Sequence, residues 1–179
     1  MYQKILVALD HSQVRPTLLD EAIGMAKAMN AGLMLVHVLS AYDDASPGLP
    51  VRGYHSYYPI VNSTAWETYR ERWSDYEQSR LEELKTIAEE ANAVGVQAEL
   101  TQTAGDPGRV ICDVARSWGA DLIVVGNRGR AGLTEFLLGS VSNYVMHHAP
   151  CSVLVAHNAT AEAKILSKSE EGSSVTTQT

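Results

Sequence analysis

Five short runs of mostly apolar residues recur along this chain, and the segments between them read as helices. The first run, Lys4-Ile5-Leu6-Val7-Ala8-Leu9, has almost no polar alternation and stops at Asp10. Such a run suits a parallel strand buried on both faces. Leu33 to Val38, Asp121 to Val125 and Cys151 to Ala156 are of the same kind, whereas Val96, Ala98 and Leu100 alternate with polar residues as a half-buried strand does. Leu18, Leu19, Ala22, Ile23, Ala26 and Met29 fall at helical spacing after Pro16, which a first helical turn tolerates, and Asn30 and Gly32 are expected to stop that helix. Val110, Ile111, Val114, Ala115 and Trp118 form another apolar helix face, entered through the Gly105-Asp106-Pro107-Gly108 turn and ended by Gly119. A short helix runs from Gly139 to His148, closed by Pro150.

The order β-α-β-α-β-α-β-α-β predicts an α/β fold with a five-stranded parallel sheet and helices on both faces. Right-handed crossovers leave few topologies, and the strand order expected is 3-2-1-4-5. Winding then reverses between strands 1 and 4, and ligands bind outside the carboxyl ends of strands at such a reversal. Asp10 and the glycine-spaced segment after strand 4 therefore meet there.

The pattern breaks between about 40 and 62, where Asp43-Asp44, Pro47-Gly48, Pro50, Gly53 and Pro59 exclude a regular element. A loop this long is usually functional or mobile. Thr64 with Glu67 reads as a capping box opening a long helix, along which Trp66, Tyr69, Trp73, Tyr76, Arg80, Leu84, Ile87 and Ala91 recur and which ends at Gly95. About 30 residues at 1.5 Å each span roughly 45 Å, so its aromatic first half is expected to project beyond the core. That stripe is costly to leave in water and is expected to pack on the insertion or on another chain.

The 179 residues make roughly one domain, placed at 1–157 with the 40–62 insertion. The tail, 158–179, has too few apolar residues to order itself and is expected to be mobile. A net charge of −7 argues against nucleic acid as a partner, and no apolar run reaches membrane-spanning length. Two cysteines, Cys112 and Cys151, make no disulfide framework and fit a reducing, cytoplasmic setting. His147-His148 lack the four-residue spacing of a helical metal pair, and no metal site is expected.

The segment from Gly126 to Ser140 reads Gly-x2-Gly-x9-Gly-Ser. Gly126 ends a strand and lets backbone approach a ligand without a Cβ, and Gly129 permits a left-handed turn. Gly139-Ser140-Val141 opens a helix whose unpaired N–H groups and dipole suit a phosphate. The Ser140 hydroxyl and the guanidinium groups of Arg128 and Arg130 can add to that site. It is not a Walker A loop, since no Gly-Lys-Ser/Thr follows strand 1, and there is no GxGxxG after that strand.

With Lys4 to Asp10, His37-Val38, Gly105-Asp106-Pro107, Leu137 to Val141 and Ala149 to Val155, this spacing resembles the ATP-binding-motif subgroup of the universal stress protein family over about residues 2 to 156. The resemblance implies a Rossmann-like, adenine nucleotide alpha hydrolase-like fold. It implies ATP or AMP as ligand, and a divalent ion such as Mg2+ could bridge the phosphates. Asp10 and the Val38 backbone would meet adenine or ribose, Gly126 would lie near the ribose, and Gly129, Gly139, Ser140 and Val141 would hold phosphates. It further implies a homodimer through strand 5, Ser152 to Ala156, for which an apolar edge strand gives an independent reason. The aromatic helix could extend the dimer to a higher oligomer. The function expected is a stress-response regulatory module that binds adenine nucleotide. The alternative is a slow ATPase or phosphotransferase using the same cleft. Asp10 and Asp106 are its only nearby base candidates, and a Walker lysine is lacking.

Overall fold

The computed structural model describes residues 1–10, 15–41, 43, 45–49, 63–127 and 138–156. The strands are β1 (Lys4–Leu9), β2 (Gly32–Leu39), β3 (Ala98–Ala104), β4 (Leu122–Gly126) and β5 (Ser152–Ala156). The helices between them are α1 (Arg15–Met29), α2 (Ser63–Ala93), α3 (Pro107–Trp118) and α4 (Ser140–His148). All neighbouring strands pair parallel in the order β3-β2-β1-β4-β5, the order the alternation predicts. The reversal lies between β1 and β4.

Burial explains why β1 is nearly all apolar. Ile5, Val7 and Leu9 point into a core shared with α1 and α2, through Leu18, Ala22, Leu84 and Ile87. Leu6 points the other way, with Val36 and Val38 of β2, into a core closed by Ile111, Ala115 and Val145 of α3 and α4. A strand covered on both faces has no solvent side for a polar residue. β3 lies at the edge, and its mixed burial matches its polar alternation.

Local signals fix most helix ends. Asp106 caps α3 by accepting from the Arg109 amide at 3.1 Å, and Pro107 follows it in the first turn. At the other end Gly119 takes φ 75°, and the Ala120 amide reaches back to the Ala115 carbonyl at 2.9 Å. A left-handed glycine closing the helix in this way satisfies its orphan carbonyls. α1 ends in the same manner on Asn30, at φ 53°, with Ala31 N–H bonded to the Ala26 carbonyl. The expectation that Gly32 shares in this stop is corrected: Gly32 is the first residue of β2. The capping box at Thr64 is corrected too. α2 begins at Ser63, which puts Thr64 inside the first turn.

α2 is 31 residues long. Leu84, Ile87, Ala88 and Ala91 of its second half enter the core, while Trp66 near its start is 44% exposed. Trp66, Tyr69, Trp73 and Tyr76 form a continuous chain of edge-to-face ring contacts with centroids 5.5–6.2 Å apart. Most of the 40–62 insertion and the whole 158–179 tail lie outside the described residues. Among the described residues, no helix is long and apolar enough to cross a membrane.

Candidate functional site

The carboxyl ends of β1, β2 and β4 carry the predicted site residues. Leu9 pairs with His37, so Asp10, the next residue, comes beside Val38. The Val38 side chain is buried in the α3/α4 core, which leaves its backbone as the part that lies at the end of the strand. Asp10 lines a small cavity with Leu9, His37, Arg80, Glu83, Leu84 and Ile87, and its volume of about 10 Å³ has room for about one water.

Gly126 ends β4, paired with Ala156 of β5. Its carbonyl accepts from the Ser142 hydroxyl at 2.7 Å, and Ser142 is buried. That bond ties the first turn of α4 to the end of β4, so Gly126 and Gly139-Ser140-Val141 are brought together across a separation of 13 residues or more. Gly139 occupies the cap position of α4 with φ −59°, a value open to any residue, and among the described residues no side chain caps the helix. The absent Cβ, rather than an unusual dihedral, is therefore what glycine supplies there. The first intrahelical bond runs from the Asn143 amide to the Gly139 carbonyl at 2.8 Å. The N–H groups of Ser140 and Val141 precede it and point along the axis, out of the helix. The first turn contains no acidic residue, so nothing on the helix itself answers its positive end. Arg128, Gly129 and Arg130 lie outside the described residues.

α4 is held from the other side by α3. A Cβ on Gly108 would stand 2.7 Å from Cδ1 of Tyr144 and 2.8 Å from its Cγ, so the two helices meet at a distance only glycine allows. Tyr144 in turn stacks on His148 at 4.0 Å, and the His148 Nδ1 lies 2.8 Å from the Tyr144 carbonyl. His148 is thus a helix-end residue packed on its own helix. Among the described residues, no group of three or more His, Cys, Asp or Glu side chains could hold a metal.

Two features escape the sequence reading. Ser142 is one, since a serine in a short helix carries no periodic signal. The other is a polar cluster behind Asp10. The Tyr76 hydroxyl donates to Asp43 Oδ2 at 2.9 Å, and the same oxygen lies 3.9 Å from His37 Nε2. His37 holds the Asp43 carboxyl well below the usual carboxylate range, helped by the Ala45 amide and the Tyr76 hydroxyl, and against the effect of burial. Burial first, and donation to Asp43 second, push the Tyr76 phenol well above its ordinary value. Asp43 and Tyr76 are 33 residues apart with a Pro- and Gly-rich stretch between them, so no spacing rule connects them.

A family model described as the universal stress protein family matches residues 1–157. A universal stress protein of Synechocystis sp. is 36% identical over 157 residues, which cover 88% of this chain and 99% of that relative. Among solved structures, a universal stress protein in complex with cAMP superposes with a TM-score of 0.55 at 24% identity, over 87% of this chain and 97% of its own. A universal stress protein family protein from Arabidopsis thaliana with AMP bound gives a TM-score of 0.54 at 20% identity, over 88% of this chain and 94% of its own. At these identities the two structures speak for the fold.

Proposed function

The chain belongs to the universal stress protein family, and from that premise we propose that it is a regulatory module that binds an adenine nucleotide, ATP or AMP, at the carboxyl edge of its sheet. The observation that carries this reading is the start of α4. Among the described residues it is a helix N-terminus with no side-chain cap, it has no acid in its first turn, and Ser142 pins it to the end of β4 at the point where the winding reverses. Its free amides and its dipole favour an anion. The fold relatives that hold cAMP and AMP support the same class of guest.

In this reading Asp10 and the Val38 backbone meet the ribose and base, and Gly126 lies close to the sugar. Gly139, Ser140 and Val141 receive phosphate, joined by Gly129, Arg128 and Arg130 from the intervening segment. A nucleotide with more than one phosphate brings Mg2+ with it. The chain pairs with a second copy through β5. That strand is the last of the sheet, and its Leu154 is 38% exposed. An apolar edge strand of this kind invites antiparallel pairing about a two-fold axis.

Calorimetric titration with AMP, ADP and ATP tests the reading, together with mass spectrometry of any small molecule released on denaturing the purified protein. Saturable binding of an adenylate is expected. Flat titrations with all three, and no released nucleotide, would overturn it. A multiple-turnover assay separates binding from enzymology: a rate near the roughly 1–100 s⁻¹ of kinases would make the chain an enzyme.

A further inference from the structure

His37 is buried, and neither ring nitrogen has a hydrogen-bond partner among the described residues. A buried polar group without a protein partner is costly unless a water or a nearby charge answers it, and among the described residues the nearest charged group to the ring nitrogens is the Asp43 carboxylate. The His37 and Asp43 side chains are 6% and 9% exposed. Asp43 is also the hub of the first turn after β2. Its amide donates to the Ser40 carbonyl, its carboxylate accepts from the Ala45 amide, and its carbonyl accepts from both the amide and the hydroxyl of Ser46. The same carboxylate is bound by Tyr76 of α2. One side chain thus joins the start of the insertion, α2 and the end of β2.

We propose that His37 and Asp43 are a proton-gated positioning pair for the nucleotide site, which engages when the His37 ring is protonated. This rests on the nucleotide reading above and names a regulation of that site. The cavity wall that His37 supplies is shared with Asp10, and His37 directly precedes Val38. A 3.9 Å separation is too long for a hydrogen bond but short enough for one to form with little movement. Imidazole is the side chain whose charge changes across the physiological range.

The charges around the ring set the direction. From β1 it is faced by Asp10, from the turn after β2 by Asp43, and from α2 by Glu83, Arg80 and the neutral Tyr76. Its register partner on β3, Gln102, is neutral. Three carboxylates against one guanidinium leave an excess of negative charge. Adding a proton to His37 offsets part of it beside a site meant for an anion, and fixes the backbone end that carries Val38. Affinity for adenylate therefore rises as pH falls.

The test is AMP titration from pH 8 to pH 6 with the wild-type chain and with His37→Gln. AMP's own phosphate titration is common to both, so the difference between the two profiles isolates the ring. The wild type is expected to gain at least about threefold in affinity over His37→Gln across this range. Asp43→Asn should abolish that gain and Asp43→Glu restore part of it. Profiles that superimpose, with both proteins binding AMP, would overturn the pairing. If neither binds AMP at any pH, the nucleotide reading has failed, and the pair is judged by hydrogen exchange at the Asp43, Ala45 and Ser46 amides. Protection factors that rise toward pH 6 in the wild type and not in His37→Gln support the pair, and equal protection in both refutes it.

Discussion

On the β4 side of the sheet's carboxyl edge the candidate site is built from backbone, and on the β2 side from side chains. At β4 the useful groups are the amides of Ser140 and Val141 and the space left by Gly126 and Gly139, with one hydroxyl, Ser142, setting the distance. At β2 the useful groups are the ring of His37, the carboxylate of Asp43 and the hydroxyl of Tyr76, drawn from three segments of chain. Backbone donors have fixed charge, so the first region offers the same field at any pH. The second contains groups that gain and lose protons. In the proposed reading, binding and its modulation reside in different residues, and substitution can separate them.

The largest expected effect is on the backbone side. Val at position 139 fits the observed φ of −59°, so Gly139→Val should fold with an unchanged far-UV spectrum. Its branched side chain would stand where the phosphate approaches. We expect a loss of about 100-fold in AMP affinity, near 2.7 kcal/mol. Unchanged affinity would show that the start of α4 is not the phosphate site. Next is Gly108→Ala, which places a methyl group 2.7 Å from the Tyr144 ring. Overpacking of this kind costs about 2.5 kcal/mol. Urea unfolding should show it, with AMP affinity falling as α4 moves. A loss below about 0.5 kcal/mol would mean that α4 is not tightly positioned by α3.

Ser142→Ala removes the hydroxyl that binds the Gly126 carbonyl and leaves that acceptor unmet, at a cost of about 2 kcal/mol. It also loosens the link between β4 and α4, so AMP binding should weaken more than it does for substitutions elsewhere in the helix. A stability loss without any change in affinity would make Ser142 a core residue only and would blur the contrast between the two regions.

How much of this is legible in the sequence follows the same division. The sheet order can be read because β1 is apolar on both faces and each helix has a local stop or cap, as at Asp106, Gly119 and Asn30. The backbone half of the proposed site can be suggested from sequence because Gly126, Gly139 and Ser140 lie within one stretch of chain, and the structure brings the start of α4 to the end of β4. The side-chain half cannot. Asp43 sits in a stretch that reads only as irregular, and Tyr76 reads as one more aromatic in a stripe. His37 ends an apolar strand and looks like a buried exception. What joins them is the seating of α2 against β2, a tertiary fact that no local periodicity encodes. The start of α2 shows a smaller failure of the same sort, since the helix begins one residue before the capping pattern that announces it.

The smallest effect sharpens the side-chain region by its pH dependence. Tyr76→Phe keeps the ring contacts to Trp73 and His37 and removes only the donor to Asp43. A hydrogen bond to a charged, buried acceptor contributes about 1.5 kcal/mol. The bond needs an ionised Asp43 and a neutral phenol, and each sets one limit. Because the Asp43 carboxyl is depressed in the folded chain, its stabilisation is complete above the unfolded value near 3.9 and is lost as pH falls through the folded one. Because the Tyr76 phenol is raised, its share is complete below the unfolded value near 10 and is lost as pH rises through the folded one. The unfolded Asp43 value is the same in both proteins and cancels, so the difference in unfolding free energy between wild type and Tyr76→Phe should be level from about pH 4 to pH 9 and shrink only as pH falls through the depressed folded value of Asp43. Urea titrations across that range measure it. A difference below about 0.5 kcal/mol at pH 7 would mean that Tyr76 acts by packing alone, and that Asp43 is held by the turn and by His37.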